Sequence, residues 1–184
     1  MELQESLYLV TGNVNKLREF QCLISSVEQF MVDLPEIQSL DPREVIEAKL
    51  RAARERKSGG ALLVEDTYLE LACYGGLPGT LVKWFEKQLG IEKMAEQAAK
   101  LGNTAATART IIGLIDEHDA TYFFEGIVQG DFVLPRGEQD FGWGPAFQPV
   151  GMDRTFGEMT REEKDRYGMR GQAIRKLVSH IEAS

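Results

Sequence analysis

The chain has 184 residues, 43% of them hydrophobic, enough to fold as a single domain, 1–184, around a full core without disulfides. Its net charge of −8 excludes broad electrostatic adhesion to nucleic acid or anionic membranes, but not the capture of a small polyanion by a few local cations and a divalent metal. No signal-like segment opens the chain, no apolar run is long enough to span a bilayer, and the two cysteines, Cys22 and Cys73, lie in apolar runs as small core residues of a reducing compartment, so a soluble cytoplasmic protein is expected.

Leu7-Tyr8-Leu9-Val10 reads as a buried strand and residues 17–24 as a helix with Phe20, Leu23 and Ile24 on one face. The polar loop between them is Thr11-Gly12-Asn13-Val14-Asn15-Lys16. A loop from strand to helix in an open α/β sheet lies at the ligand-binding edge, and the free N–H groups of the following helix favour an anion there. Gly12 permits a tight turn and Lys16 adds a mobile positive charge. The functional reading is a phosphate cradle and the plain one a strand-to-helix loop with a solvated lysine. The glycine spacing of a P-loop is absent.

Residues 30–34 read as a second strand, broken by Pro35 and followed at once by Glu36. Asp41-Pro42-Arg43-Glu44 is a helix start, and the helix should run to about Lys57 and stop at Gly59-Gly60. On its wheel Lys49 falls inside the apolar arc of Val45, Ile46, Ala52 and Ala53, so the ammonium must either snorkel to an edge or meet an anion. Residues 61–64 form a short apolar strand that ends in Glu65-Asp66-Thr67. With Glu36 these acids make an oxygen-ligand set suited to Mg²⁺, or else a solvated turn.

Residues 68–74 alternate as a further strand, and Gly75 to Gly79 form a turn. Thr80 can cap a helix over 81–89, where Lys83 in the first turn opposes the dipole and hints at an anionic partner. A structural helix follows at 91–101. Residues 104–114 and 121–134 read as a long antiparallel pair joined by Asp116-Glu117-His118-Asp119, with Gly126 and Gly130 as bends or bulges. His118 and His180 read as surface residues, and neither a His pair with ligand spacing nor a Ser-His-Asp or Cys-His set is visible. No G-x-G-x-x-G follows a strand, which argues against a nicotinamide-dependent oxidoreductase.

In residues 135–151, Phe141-Gly142-Trp143-Gly144-Pro145-Ala146-Phe147-Gln148-Pro149 interleaves aromatics with glycines and prolines. That makes either a rigid aromatic shelf for a planar ligand or a plug into the core. A charged helix is expected over 155–167, then Gly168-Met169-Arg170 and a last helix with Ala173, Ile174, Leu177, Val178 and Ile181 inward.

Taken together, in this order, the segments Thr11-Gly12-Asn13 with Lys16, Leu34-Pro35-Glu36, Lys49, Val64-Glu65-Asp66-Thr67, Gly75 to Gly79 with Lys83-Trp84-Phe85, Phe141 to Pro145, Glu158-Met159, Lys164 and Arg170 resemble the inosine triphosphatase family of non-standard purine NTP pyrophosphatases, nearly end to end. The resemblance implies an α/β fold with an elongated mixed sheet and flanking helices in two lobes, the nucleotide in the cleft between them, a homodimer, and Mg²⁺-dependent cleavage of a (d)NTP to (d)NMP and pyrophosphate. By position, it implies that Thr11, Gly12, Asn13, Val14, Asn15, Lys16, Lys49 and Lys83 hold the triphosphate. Glu36 and Asp66 would bind Mg²⁺, Asp66 or Glu65 would help to generate the water nucleophile that attacks the α-phosphorus, and Thr67 would contact substrate. Phe141 would stack on the base, with Gly142, Trp143, Gly144, Lys164, Met169 and Arg170 around it.

Two positions depart from the family pattern. Gly144 stands where the family usually has Asp, and Gly168-Met169-Arg170 where it usually has Ser-His-Arg. Both belong to base recognition, so the expectation is that hydrolysis is kept while the preference for 6-oxo purines is weakened or redirected. The alternatives are the same chemistry on a different or modified nucleotide, or a homologue that binds nucleotide without turning it over.

Overall fold

The computed structural model describes residues 6–140 and 142–183. Its first half is a βαβαβ run: β1 (Leu7–Val10), α1 (Val14–Leu23), β2 (Glu28–Phe30), α2 (Pro42–Arg56) and β3 (Ala61–Leu71). Strand β1 lies between β2 and β3 and is parallel to both. The two-residue β4 (Pro78–Gly79) pairs with the end of β3, and α3 (Val82–Leu89) and α4 (Ile91–Lys100) follow. Then β5 (Ala105–Ile115), β6 (Thr121–Phe132) and β7 (Phe147–Pro149) extend the sheet antiparallel, in the order β2-β1-β3-β5-β6-β7. The chain closes with α5 (Arg161–Tyr167) and α6 (Met169–Ala183). No described helix is long and apolar enough to cross a membrane.

Three apolar clusters hold the helices to the sheet. One apolar cluster packs α1 and α6 on one face of the parallel half, through Phe20, Ile24, Ala173, Ile174 and Leu177. A second packs α2 on the opposite face, through Ile46, Leu50 and Ala53 against Leu62, Val64 and Tyr68. A third lies at the far end of the long strands, where Leu69, Leu71 and Phe132 meet α4, Trp143, Phe147 and Phe156. This is the expected mixed sheet with flanking helices.

Several local expectations are corrected. Helix α1 begins at Val14, because Asn13 caps it by accepting from the backbone N–H groups of Asn15 and Lys16. Strand β2 stops at Phe30, and residues 31–39 run without regular structure, with Met31 exposed where a buried strand would have hidden it. Residues 61–71 are one unbroken strand, so Glu65-Asp66-Thr67 is no turn. The ladder to β5 continues straight through them, Glu65 opposite Ile112 and Asp66 opposite Ile111. Helix α3 has no side-chain cap; the Thr80 hydroxyl donates to the carbonyl of Ser39 instead. The expected helix over 155–167 is split: a capping box between Thr155 and Glu158 starts a short 3-10 turn, and a second, between Thr160 and Glu163, starts α5. Cys22 lies on the exposed side of α1 rather than in the core, and His180 packs its ring 4.4 Å from that of Tyr122.

Candidate active site

Successive side chains of a strand point to opposite faces, so the continuity of β3 decides how its acids are used. Asp66 follows Leu62 and Val64 onto the α2 face, while Glu65 and Thr67 follow Leu63 onto the face of α1 and α6. The two adjacent carboxylates therefore serve separate clusters.

On the α2 face, α2 delivers Lys49 to the sheet. Its Nζ lies 2.7 Å from Asp66 Oδ2 and 3.4 Å from Glu36 Oε1. Lys83, at the start of α3, reaches Glu36 Oε2 at 3.0 Å. Burial alone would lower the Lys49 ammonium, but Asp66 and Glu36 hold it above its ordinary value. Burial would likewise raise the Glu36 carboxyl, and Lys83 and Lys49 outweigh it and draw it down. Two joined depressions carry these groups. One is lined by Glu36, Asp66, Thr67, Thr80 and Lys83, and the other, of about 200 Å³, by Thr11, Gly12, Lys16, Glu36 and Lys49. Glu36, Asp66, Lys49, Lys83 and the loop of Lys16 are thus brought to one cleft.

On the other face, Glu65 is almost fully enclosed, its side chain 1% exposed. One oxygen lies 2.7 Å from Lys16 Nζ; the other accepts from Arg170 Nε at 3.1 Å and from the Thr67 hydroxyl at 2.7 Å. Burial would raise this carboxyl, but Arg170, Lys16 and Thr67 bring it down to about 2. Arg170 continues to Glu19 Oε2 at 2.6 Å and donates to Thr67 at 3.3 Å. Arg170 is buried and ties the start of α6 to α1 and β3.

The opening loop is less free than a bare helix end. The Thr11 hydroxyl accepts from the N–H of Asn13, and Asn13 accepts from those of Asn15 and Lys16, so three backbone donors are satisfied within the loop. Gly12 has an ordinary backbone and open space beside it; Val14 is exposed on the first turn of α1.

The residues expected around the base are divided by the fold. Phe141 lies outside the described residues. Trp143 is buried, its ring edge-on to Phe147 at 5.7 Å, and Met169 sits in the same core cluster, so both are core residues rather than parts of an open shelf. Gly142 backs onto Glu86 of α3. Lys164 and Asn15 do meet, in a cavity of about 280 Å³ that Glu19 and Asp140 also line. Lys164 Nζ lies 2.5 Å from Asp140 Oδ1 and 3.9 Å from Glu19 Oε1.

Glu19 and Asp140 were not singled out from the sequence. Glu19 had only a faint signal: it lies one turn from Lys16 and next to Phe20, the two residues that α1 buries being Glu19 and Phe20. Asp140 had none, because only the fold brings it to Lys164.

Could the site hold a metal? No group of three or more His, Cys, Asp or Glu placed to bind one occurs among the described residues. Yet oxygens of Glu36 and Asp66 converge on the single Nζ of Lys49, so they already share a cation. Two carboxylates suit Mg²⁺, which takes the rest of its ligands from water and substrate phosphates. The donor set fits.

The model of the Ham1 family matches residues 7–180. The inosine triphosphate pyrophosphatase of Puccinia graminis f. sp. tritici is 35% identical over 186 residues, 95% of this chain and 96% of the relative. That of Schizosaccharomyces pombe is 35% identical over 187 residues, covering 100% of this chain and 98% of the relative. Among solved structures, a HAM1 protein from Coxiella burnetii superimposes with a TM-score of 0.83 at 24% identity, over 97% of this chain and 98% of that one.

Proposed function

The chain belongs to the Ham1 family, and from that premise we propose that it is a nucleoside triphosphate pyrophosphohydrolase, an acid-anhydride hydrolase that splits a (d)NTP into (d)NMP and pyrophosphate and clears non-standard purine nucleotides such as ITP, dITP and XTP. The observation that carries the reading is Lys49: its ammonium is shared by Asp66 and Glu36 in a cleft rimmed by Lys83 and Lys16.

That arrangement is balanced without ligand and suited to an exchange. Lys16, Lys49 and Lys83 each pair with a carboxylate in the free protein. A triphosphate can take the lysines if a cation takes the carboxylates, so no charge is left unpaired when substrate enters. Glu36 and Asp66 would hold Mg²⁺, which, when bound, supplies Lewis-acid stabilisation of charge on the phosphate oxygens. Lys49 and Lys83, released from their carboxylates, would bind the phosphate chain and stabilise charge on the leaving pyrophosphate.

Asp66 is the stronger candidate for proton acceptor. Its side chain is 29% exposed at the cleft, whereas Glu65 is enclosed and held ionised at about 2 by Arg170 and Lys16. A base so acidic takes a proton from water poorly. Glu65 instead positions Lys16 and Thr67 from behind the strand. The homodimer and cytoplasmic setting implied by the same resemblance are part of this proposal; sedimentation should give twice the chain mass.

Pyrophosphate release from a panel of NTPs and dNTPs tests the function. Turnover should vanish on chelation and return with Mg²⁺. Asp66→Asn should lower kcat by roughly 10²–10⁴-fold while nucleotide still binds. A wild-type protein that releases no pyrophosphate from any member of the panel contradicts the reading.

A further inference from the structure

Gly144 is buried, and a Cβ placed on it would lie 1.8 Å from Asp140 Oδ2 and 2.5 Å from the Asp140 Cγ. The carboxyl group of Asp140 therefore occupies the space that any side chain at position 144 would need. That carboxylate is 5% exposed and pairs with Lys164, itself 13% exposed, at 2.5 Å. The pair lines the 280 Å³ cavity with Asn15, Glu19 and Arg161. The cavity is linked to the phosphate-binding groups through Glu19, Arg170 and Glu65. It is close to the lower end of ligand cavities, which run from roughly 300 Å³ upward, and suits one heterocycle rather than a whole nucleotide.

We propose that Asp140, admitted by the missing side chain at 144, is the base-selecting carboxylate of this site, and that with Lys164 it favours a purine carrying a 6-oxo group and an N1–H over a 6-amino purine. This rests on the pyrophosphohydrolase reading above. The chemistry is that of the two partners. A carboxylate accepts on both oxygens and an ammonium donates three times, so the pair can hold a base edge without separating. A 6-oxo purine offers N1–H to the carboxylate and O6 to the ammonium. Adenine offers the reverse, a bare N1 against the carboxylate and an amino group against the ammonium. Groups left unpaired in an enclosed site discriminate strongly. On this proposal the side chain missing at 144 does not loosen base preference but is the condition for a carboxylate from 140 to enter.

The test compares kcat/KM for ITP and ATP by pyrophosphate release, and binding of IMP and AMP by calorimetry, in wild type, Asp140→Asn and the double variant Asp140→Ala/Gly144→Asp. Wild type should favour the hypoxanthine compound in both assays. Asp140→Asn should cut that preference by about 10- to 100-fold, the range expected for losing one specific base-edge contact. The double variant, which returns a carboxylate from position 144, should recover part of it. If Asp140→Asn does not fold, Gly144→Ala reads the same point, because its methyl group evicts the Asp140 carboxylate. A preference unchanged within about threefold in the variant that folds, or a wild type that does not separate the two bases, overturns the assignment. The two proposals fail separately: binding that prefers IMP and loses this in Asp140→Asn, without turnover of any NTP, sinks only the pyrophosphohydrolase reading. Turnover with an unchanged preference sinks only the role of Asp140.

Discussion

Lys49 shows how one side chain couples sequence to chemistry. Its place on the apolar arc of α2 is readable from helical spacing, and a cation there must find an anion or an exit. The fold supplies two anions, Asp66 and Glu36, from segments 17 and 13 residues away. Lys49→Met keeps the apolar stem and removes the charge. We expect kcat/KM to fall by about 10²–10³-fold, the scale of deleting one preorganised electrostatic group, measured in steady state at saturating Mg²⁺. Glu19 is buried on α1 beside Phe20; a glutamate on a short helix is usually solvated, and Arg170, 151 residues on, together with Lys164 explains why this one is not.

Glu65 carries a pH prediction. Its carboxyl is held at about 2 in the fold against an ordinary 4.5. A carboxyl lowered on folding stabilises fully above its unfolded value and loses that contribution as pH falls towards its folded one. Chemical denaturation at a series of pH values should therefore show stability dropping between about pH 4.5 and 2, with Glu65→Gln flattening that slope. At neutral pH the same variant leaves Arg170 short of a partner, and should lose on the order of 3–5 kcal/mol.

At the scale of elements, the site depends on how close α6 comes to the sheet. Gly126 in β6 has no room for a side chain: a Cβ there would sit 1.8 Å from the carbonyl oxygen of Met169. That contact seats the first turn of α6, and with it Arg170, against Glu65. Gly126→Ala should cost about 1–3 kcal/mol by overpacking, seen as a lower midpoint in urea, and should lower turnover as well because Arg170 moves with the turn.

The regular elements that bury one clean face were legible: β1, α2, α4 and the β5–β6 pair stand near their expected bounds because their local pattern and their tertiary role agree. Strand β3 was not, because Glu65-Asp66-Thr67 has the composition of a turn. Its burial is made tolerable by Arg170, which no local window contains. The aromatic loop was open between shelf and plug, and the structure plugs Trp143 and Phe147 into the core. That Lys49, Lys83, Glu36 and Asp66 need partners was readable from their places at the edges of apolar runs, and the fold pairs them with one another. The Asp140–Lys164 pair was not readable, because it depends on the missing side chain at Gly144.

Across the whole molecule, charges alternate along one connected line: Asp140, Lys164, Glu19, Arg170, Glu65 and Lys16. On the opposite face of β3, Asp66, Lys49, Glu36 and Lys83 form a second. An acidic protein thereby presents a cleft in which each lysine already has a carboxylate, and in the proposed function substrate and cation enter by exchange. Affinity for nucleoside triphosphate should then rise steeply with Mg²⁺ concentration, and calorimetry with and without the ion should show weak binding in its absence.

The most direct measurement is turnover of ITP with Mg²⁺ in H₂¹⁸O, followed by mass spectrometry of the products. Attack of water on the α-phosphorus, as proposed, puts a single ¹⁸O in the monophosphate and none in pyrophosphate. Label in pyrophosphate, or release of orthophosphate in place of pyrophosphate, would contradict it.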